Sequence, residues 1–152
     1  MREYREQLRV PVSWWLLGIL SVLVLGAEIF AGFGGMLPAI VYGVLLAAVA
    51  SLLLAWGTAS IEVTGGALRA GGAELRLADI GEVVALDEKQ SAQLRGPRGD
   101  PAAHLLLRPY LKRAVYISLA DPASPVPYWL VGSRRPAELA TAIESGRAAV
   151  GR

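Results

Sequence analysis

The chain contains no cysteine, and this absence excludes a disulfide, a thiol nucleophile and a thiolate metal site. Histidine occurs once, at His104, so carboxylates would have to complete any metal site or catalytic triad, and zinc usually takes three or four ligands. The 15 basic and 13 acidic residues give a formal net charge of +2, too small an excess to indicate nucleic-acid binding. We therefore expect no metal, no cofactor and no nucleic-acid partner.

Charge is also missing from most of the N-terminal third of the chain. Leu37–Trp56 contains no Asp, Glu, Lys, Arg or His, and Val10–Phe33 carries only Glu28. About 20 apolar residues are needed to cross a hydrocarbon core about 30 Å thick. The sequence therefore predicts an α+β membrane protein that begins with a two-helix transmembrane hairpin and has the lipid bilayer as its first partner. The hairpin occupies residues 1–57, with spans at about 11–31 and 37–56.

The charges on either side of the first span predict the orientation of the hairpin. Arg2, Arg5 and Arg9 precede this span, whereas the glycine-rich turn at 31–38 carries no basic residue. Short cytoplasmic segments of membrane proteins carry an excess of Lys and Arg. We therefore predict a multi-pass protein with both termini in the cytoplasm.

Glu28 is the one ionisable residue near a span, within about one turn of the glycine-rich segment. A carboxylate at the centre of a bilayer is costly and usually functional, but at this depth the side chain reaches toward the outer headgroups. Glu28 predicts an interfacial anchor or a helix-pair contact, with a proton-coupled or partner-binding role as the alternative. Small residues along both spans predict close packing within the hairpin, or else a homo-oligomer seam.

After Trp56, short segments of alternating polarity are separated by the glycine pairs Gly65-Gly66 and Gly71-Gly72. This pattern predicts a β-meander with one apolar face. The predicted strands are 60–64, 67–70, 73–77, 80–86, 103–107, 114–119 and 128–131. Residues 58–152 are therefore expected to form one small cytoplasmic antiparallel β-domain, closed by a C-terminal helix at about 136–149. Such an arrangement resembles the pleckstrin-homology-like barrel.

Arg134 and Arg135 lie at the predicted turn between the last strand and the C-terminal helix. The N–H groups of a helix start and two guanidinium groups together can bind phosphate or carboxylate. With a membrane nearby, an anionic lipid headgroup is the expected ligand, and Lys112 and Arg113 complete this candidate site. The alternatives are a solvated turn or an ion pair with a neighbour such as Asp121 or Glu138.

Tyr128 and Trp129 precede this turn in the last predicted strand. Adjacent strand residues point to opposite faces of a sheet, so we expect at most one of the two in the core. The other is expected to be exposed or to pack on the final helix, and the pair is the candidate contact with a protein partner. The alternative is a core strand followed by a helix cap, for which Ser133 is the candidate.

Several segments together resemble an actinobacterial membrane family catalogued only as domain of unknown function 3093. They are Tyr4–Glu6, Val10-Pro11, Trp14-Trp15, Arg108-Pro109-Tyr110, Asp121-Pro122 and Pro127–Leu139. Members typically carry Ser-Thr where this chain has Gly132-Ser133. The resemblance covers nearly the whole chain, implies a two-span bacterial inner-membrane protein, and supplies no activity, substrate or cofactor.

Three function classes remain open. The first, which we favour, is a non-enzymatic membrane-anchored module whose cytoplasmic β-domain contacts a protein partner. The second is a binder of anionic lipid headgroups or other anions through Arg134 and Arg135. The third is an enzyme whose site the sequence does not locate.

Overall fold

The computed structural model describes residues 3–151 and divides into two compact units. One unit is Arg9–Thr58. The other, which we call the β-unit, joins the N-terminal segment through Leu8 to the chain from Ala59 onward. The hairpin is therefore an insertion into the β-unit, because the chain leaves that unit after Leu8 and returns to it at Ala59.

The Arg9–Thr58 unit is a pair of long apolar helices, as predicted. Helix α1 covers Val12–Gly32 and helix α2 covers Leu37–Gly57. Only 11% of the most apolar stretch of each helix is buried within the chain, so most of the apolar side chains are exposed. By length and composition, both helices are able to cross a membrane.

The two helices pack closely where α1 carries glycine. A β-carbon at Gly26 would overlap the ring of Tyr42, and one at Gly18 would lie 2.8 Å from a methyl carbon of Val49. The Tyr42 hydroxyl also donates a hydrogen bond to the carbonyl oxygen of Leu23, at 3.0 Å. The predicted packing within the hairpin is therefore present and depends on residues that let the backbones approach.

The β-unit contains two four-stranded sheets. The first has the order β1-β2-β3-β4, from Tyr4–Gln7, Ser60–Thr64, Ala67–Ala70 and Ala73–Arg76. The second has the order β5-β7-β8-β6, from Ile80–Leu86 (β5), His104–Leu106 (β6), Ala114–Leu119 (β7) and Tyr128–Gly132 (β8). Neighbouring strands are antiparallel except for β6 and β8, which run parallel. That parallel pair departs from the antiparallel domain expected from the sequence.

Glycine pairs form the turns of the first sheet, as predicted. Gly65 and Gly66 join β2 to β3 with φ of 59° and 80°, and Gly71 and Gly72 join β3 to β4 with φ of 59° and 92°. Two consecutive residues of positive φ are typical of the tight hairpin turn that matches strand twist.

Two helices complete the β-unit. Helix α3 (Glu88–Arg95) begins with a capping box, in which Asp87 accepts from the Gln90 N–H and the Gln90 side chain accepts from the Asp87 N–H. Helix α4 (Pro136–Val150) agrees with the predicted C-terminal helix to within one residue.

One apolar core connects both sheets and α4. Fully buried side chains come from β2 and β3 (Ile61, Leu68), from β7 (Ile117) and from α4 (Leu139, Ile143). Each such side chain contributes about 1.5–3 kcal/mol relative to an exposed one. The β-unit is thus held by contacts between residues from its whole length.

The N-terminal arm is placed differently from the sequence-based division at residue 57. Residues Tyr4–Gln7 form strand β1, paired with β2 in the register Tyr4↔Val63 to Gln7↔Ser60. The sequence did not predict this strand because it is short and charged, and because its partner follows only after the whole hairpin.

The prediction that at most one of Tyr128 and Trp129 lies in the core is wrong. Each is 7% exposed, because Trp129 packs into the core shared with α4 on one face of β8 and Tyr128 packs into a second buried cluster. Tyr128 packs on Tyr116, with ring centroids 5.0 Å apart. Neither side chain is therefore positioned to contact a partner at the surface.

Gly26→Leu is expected to destabilise the hairpin by about 1–3 kcal/mol, since overpacking forces a tight contact apart. Gly43→Leu is the matched control, because a β-carbon at Gly43 meets no atom within 4 Å. The measurement is the thermal midpoint of the full chain in mild detergent. Equal midpoints for the two variants would contradict the packing described here.

Candidate anion-binding site

A carboxylate from the other end of the chain holds the turn between β8 and α4. Glu6 in β1 is 5% exposed and accepts hydrogen bonds from the Ser133 hydroxyl (2.5 Å) and the Arg134 backbone N–H (2.9 Å). The Tyr4 hydroxyl donates to the same carboxylate at 2.8 Å. The sequence-based prediction assigned the N–H groups of this turn to an external anion. In the structure, Glu6 accepts the hydrogen bonds of the Ser133 hydroxyl and the Arg134 N–H instead.

Ser133 closes this turn and does not cap the helix. Its hydroxyl oxygen accepts a hydrogen bond from the Arg135 N–H at 3.0 Å, and its O–H donates a hydrogen bond to Glu6. The residue before the helix is Arg135, whose side chain makes no capping bond. Ser133, the expected cap, instead connects Glu6 to the strand-to-helix turn.

Tyr4 shares the buried surroundings of Glu6. Burial, followed by the hydrogen bond to Glu6, raises the pKa of Tyr4 from 10.0 to about 12. The Arg135 guanidinium carbon lies 5.6 Å from the centre of the Tyr4 ring. The phenol keeps its proton well into the alkaline range and so continues to donate to Glu6.

Three of the four predicted cations line one surface depression of about 640 Å³, which we call the basic depression. Its lining residues are Glu88, Tyr110, Leu111, Lys112, Arg113, Ser133 and Arg134. Strands β7 and β8 are antiparallel, with Ala114 opposite Gly132. The residues before β7 and those after β8 therefore lie at the same end of these two paired strands. This arrangement brings together cations that are distant in sequence.

Cations outnumber carboxylates among the described residues that line the basic depression. Lys112 forms an exposed ion pair with Glu88 at 3.1 Å, and such pairs contribute little to stability. Arg113 donates to the carbonyl oxygen of Arg134 at 3.5 Å. Among the described lining residues, Glu88 is the one carboxylate beside the cations Lys112, Arg113 and Arg134.

Tyr110 joins the basic depression to the point where the hairpin is inserted. Its hydroxyl donates to the carbonyl oxygen of Leu8 at 2.9 Å, and the Leu8 N–H donates to the carbonyl oxygen of Ala59 at 3.0 Å. Burial raises the pKa of Tyr110, and the charges of Arg108 and Arg134 partly oppose this rise. These two arginines therefore lie close enough to Tyr110 to act on its hydroxyl.

Arg135 is not among the residues that line the basic depression. It forms an ion pair with Glu138 at 3.0 Å, which is one of the alternatives that the sequence left open. Sequence reasoning missed the roles of Glu6, Tyr110 and Arg108. No local pattern marks Glu6, whereas the turn Arg108-Pro109-Tyr110 was noted only as part of the family resemblance.

The other residues singled out in the sequence lie elsewhere. His104 stacks on Trp129, with ring centroids 4.1 Å apart. Within residues 3–151 no group of three or more His, Asp or Glu side chains is arranged to hold a metal.

Glu28 is exposed on α1, four residues before the helix ends at Gly32. It lies on the side of the helix away from the glycine that contacts α2. Its role as an anchor or partner contact stays a prediction.

Glu6→Ala is expected to lower the free energy of unfolding by about 1–3 kcal/mol, because buried donors on Ser133 and Arg134 lose their acceptor. Glu74→Ala, which removes an exposed ion pair with Arg69, is the control and is expected to cost less than about 1 kcal/mol. Denaturant unfolding of the full chain in detergent measures both. Similar losses would show that Glu6 does not hold the turn.

Tyr4→Phe is expected to change how stability depends on pH. A raised pKa in the folded state stabilises fully below pH 10.0, and this contribution is lost as pH rises toward about 12. The difference in unfolding free energy between the parent and Tyr4→Phe should therefore shrink across that interval. A constant difference would mean that Tyr4 is not held protonated by its surroundings.

Comparison with known proteins supplies a family. A family model described as Protein of unknown function (DUF3093) matches residues 3–143 of the 152-residue chain. No curated protein and no solved structure matches the chain. Because the match covers nearly the whole length, the resemblance seen in the sequence is confirmed, and the chain belongs to the family of proteins of unknown function described as DUF3093.

Proposed function

We propose that the chain is a non-enzymatic membrane-anchored module whose β-unit contacts a protein partner at the cytoplasmic face of a bacterial inner membrane. The observation that carries this proposal is the insertion of two apolar helices between paired strands. Strand β1 ends at Gln7, strand β2 begins at Ser60, and these two residues are register partners. The chain segments on both sides of the hairpin thus belong to one folded unit.

The pairing of β1 with β2 restricts the possible topologies. Strands joined by main-chain hydrogen bonds lie on the same side of a membrane, so the chain between them crosses an even number of times. Two spans meet this condition. The basic residues Arg5 and Arg9 ahead of α1, and the uncharged turn after it, support the cytoplasm as the shared side.

The pleckstrin-homology-like assignment is part of the same proposal. Two four-stranded sheets around one core, closed by the C-terminal helix α4, support it. Helix α3 and the parallel pair of β6 with β8 are departures from a simple antiparallel barrel. A fold by itself assigns no activity, so the functional argument depends on the surfaces of the β-unit.

A partner surface is needed that does not use the buried Tyr128 and Trp129. A groove of about 380 Å³ between β1 and α4, lined by residues that include Tyr4 and Glu138, is the surface we propose. We favour binding over catalysis because the basic depression is lined by three cations, Lys112, Arg113 and Arg134, which are suited to holding an anion. The basic depression also favours a second candidate function, the recognition of an anionic headgroup or another anion.

Single cysteine variants test the orientation, since the parent chain has no cysteine to react. Gly34→Cys lies in the exposed turn after α1, and Ala123→Cys lies in the exposed loop after β7. A membrane-impermeant maleimide applied to intact spheroplasts is expected to label Gly34→Cys and to spare Ala123→Cys until the membrane is opened.

The parent chain, treated in parallel, controls for labelling at other groups. Labelling of Ala123→Cys in intact spheroplasts would overturn the proposed orientation. Recovery of the chain in a soluble fraction without detergent would overturn the membrane anchor itself.

A further inference from the structure

We propose that the groove between β1 and α4 binds an extended basic segment of a protein partner, which pairs with the outer edge of β1 as an added strand. This inference rests on the membrane-anchored module proposed above and names the chemistry of its partner. Three features of the β-unit support it: the outer edge of β1, the small side chains of α4 beside that edge, and the charges that line the groove.

Strand β1 has an outer edge with which no strand of the described chain pairs. It is the first strand of its sheet and has β2 as its neighbour. The Leu8 N–H donates to the carbonyl oxygen of Ala59, so these residues form a hydrogen-bonded pair of the antiparallel ladder. Such pairs alternate along a ladder, so the main-chain groups of Tyr4 and Glu6 face β2. The N–H and C=O of Arg5 therefore point to the outer edge, where an added strand can bond them.

The groove lies on this outer side of β1. The described residues that line it are Glu3, Tyr4, Ala137, Glu138, Thr141 and Ala142, and none of them belongs to β2. Further along α4, Gly146 lies against β2, because a β-carbon there would be 3.8 Å from a methyl carbon of Val63. From Gly146 toward its N-terminus, α4 therefore leaves β2 and lies beside β1. The groove is the space between these N-terminal turns and the strand.

Helix α4 leaves room in the groove for the side chains of an added strand. Its four lining residues lie on one face, since Ala137 is four residues from Thr141 and Glu138 is four residues from Ala142. Three of these side chains are small, so the helix does not fill the space beside β1. Successive side chains of a strand point to opposite faces, so every second side chain of the partner would enter the groove of about 380 Å³.

The charges of the lining favour a basic partner. Among the described lining residues, the charged ones are Glu3 on the strand side and Glu138 on the helix side, so each wall carries a carboxylate. Glu138 pairs with Arg135, but both side chains are more than half exposed, and an ion pair of this kind contributes little. A lysine or arginine of the partner can therefore share the Glu138 carboxylate while a second one reaches Glu3.

The test uses the full chain in a non-ionic detergent, with a short fluorescent peptide of alternating lysine and threonine as the probe. Fluorescence anisotropy measures its affinity. We expect this peptide to bind at least about fivefold more tightly than one of alternating glutamate and threonine, and its affinity to fall as salt is added. Methylation of the backbone nitrogens of the peptide removes its donors and is expected to weaken binding by about fivefold. Bound peptide is also expected to slow amide hydrogen exchange in Tyr4–Gln7.

A proline on β1 tests the pairing of main chains. Because the Arg5 N–H faces away from β2, Arg5→Pro removes the outer donor and keeps the bonds between β1 and β2. Arg5→Ala is the matched control, since both variants lose the ion pair with Glu62. We expect Arg5→Pro to bind the lysine peptide about fivefold more weakly than Arg5→Ala does. Equal thermal midpoints of the two variants would show that the fold is kept.

Two pairs of substitutions test the charges of the groove and do not depend on the folding of the proline variant. Glu3→Gln with Glu138→Gln is expected to weaken binding of the lysine peptide by about fivefold. Glu74→Gln with Glu144→Gln removes two exposed carboxylates outside the groove and should leave the affinity unchanged. The two pairs are matched, because Glu138 and Glu74 each lose an exposed ion pair with an arginine.

Equal affinities for the two peptides, equal binding by Arg5→Pro and Arg5→Ala, or equal effects of the two glutamine pairs would overturn the inference. Self-association of the parent chain that Arg5→Pro abolishes would show that a second copy occupies the edge, and would also overturn it. None of these outcomes changes maleimide labelling at Gly34→Cys and Ala123→Cys. The inference and the proposed membrane orientation therefore fail separately.

Discussion

The bonding of the buried Glu6 carboxylate is the interaction on which the rest of the structure depends. A carboxylate removed from water is costly unless several donors satisfy it, and here a phenol, a serine hydroxyl and a backbone N–H do so. Because Glu6 lies in β1 and two of its donors lie at 133–134, these bonds join the two ends of the β-unit. The N-terminal arm becomes part of the folded unit in this way.

Anchoring of that arm gives the hairpin two fixed attachment points. A hairpin that followed a free N-terminal tail would connect to the β-unit through the end of α2 alone. Here the chain also enters α1 from β1, and Leu8 is bonded both to Ala59 and to Tyr110. Both ends of the hairpin are therefore joined directly to the β-unit.

The same bonds hold the backbone of the turn after β8, where two adjacent arginines begin to differ. Arg134 contributes its N–H to Glu6 and its side chain to the basic depression, while Arg135 is turned toward Tyr4 and Glu138. Adjacent arginines thus have different surroundings, although the sequence presents them as one pair. The two side chains point in different directions because the backbone changes from a strand to a helix between β8 and α4.

The sequence by itself determined the elements whose cause is local. Long apolar runs predicted α1 and α2, and period-two alternation with glycine pairs predicted β2 to β4, because these patterns concern neighbouring residues. Only the tertiary structure decided what depends on distant residues: the pairing of β1, the burial of both Tyr128 and Trp129, and the gathering of Lys112, Arg113 and Arg134. Burial and charge clustering depend on which strands become neighbours, and that choice is made by the packing of the whole β-unit.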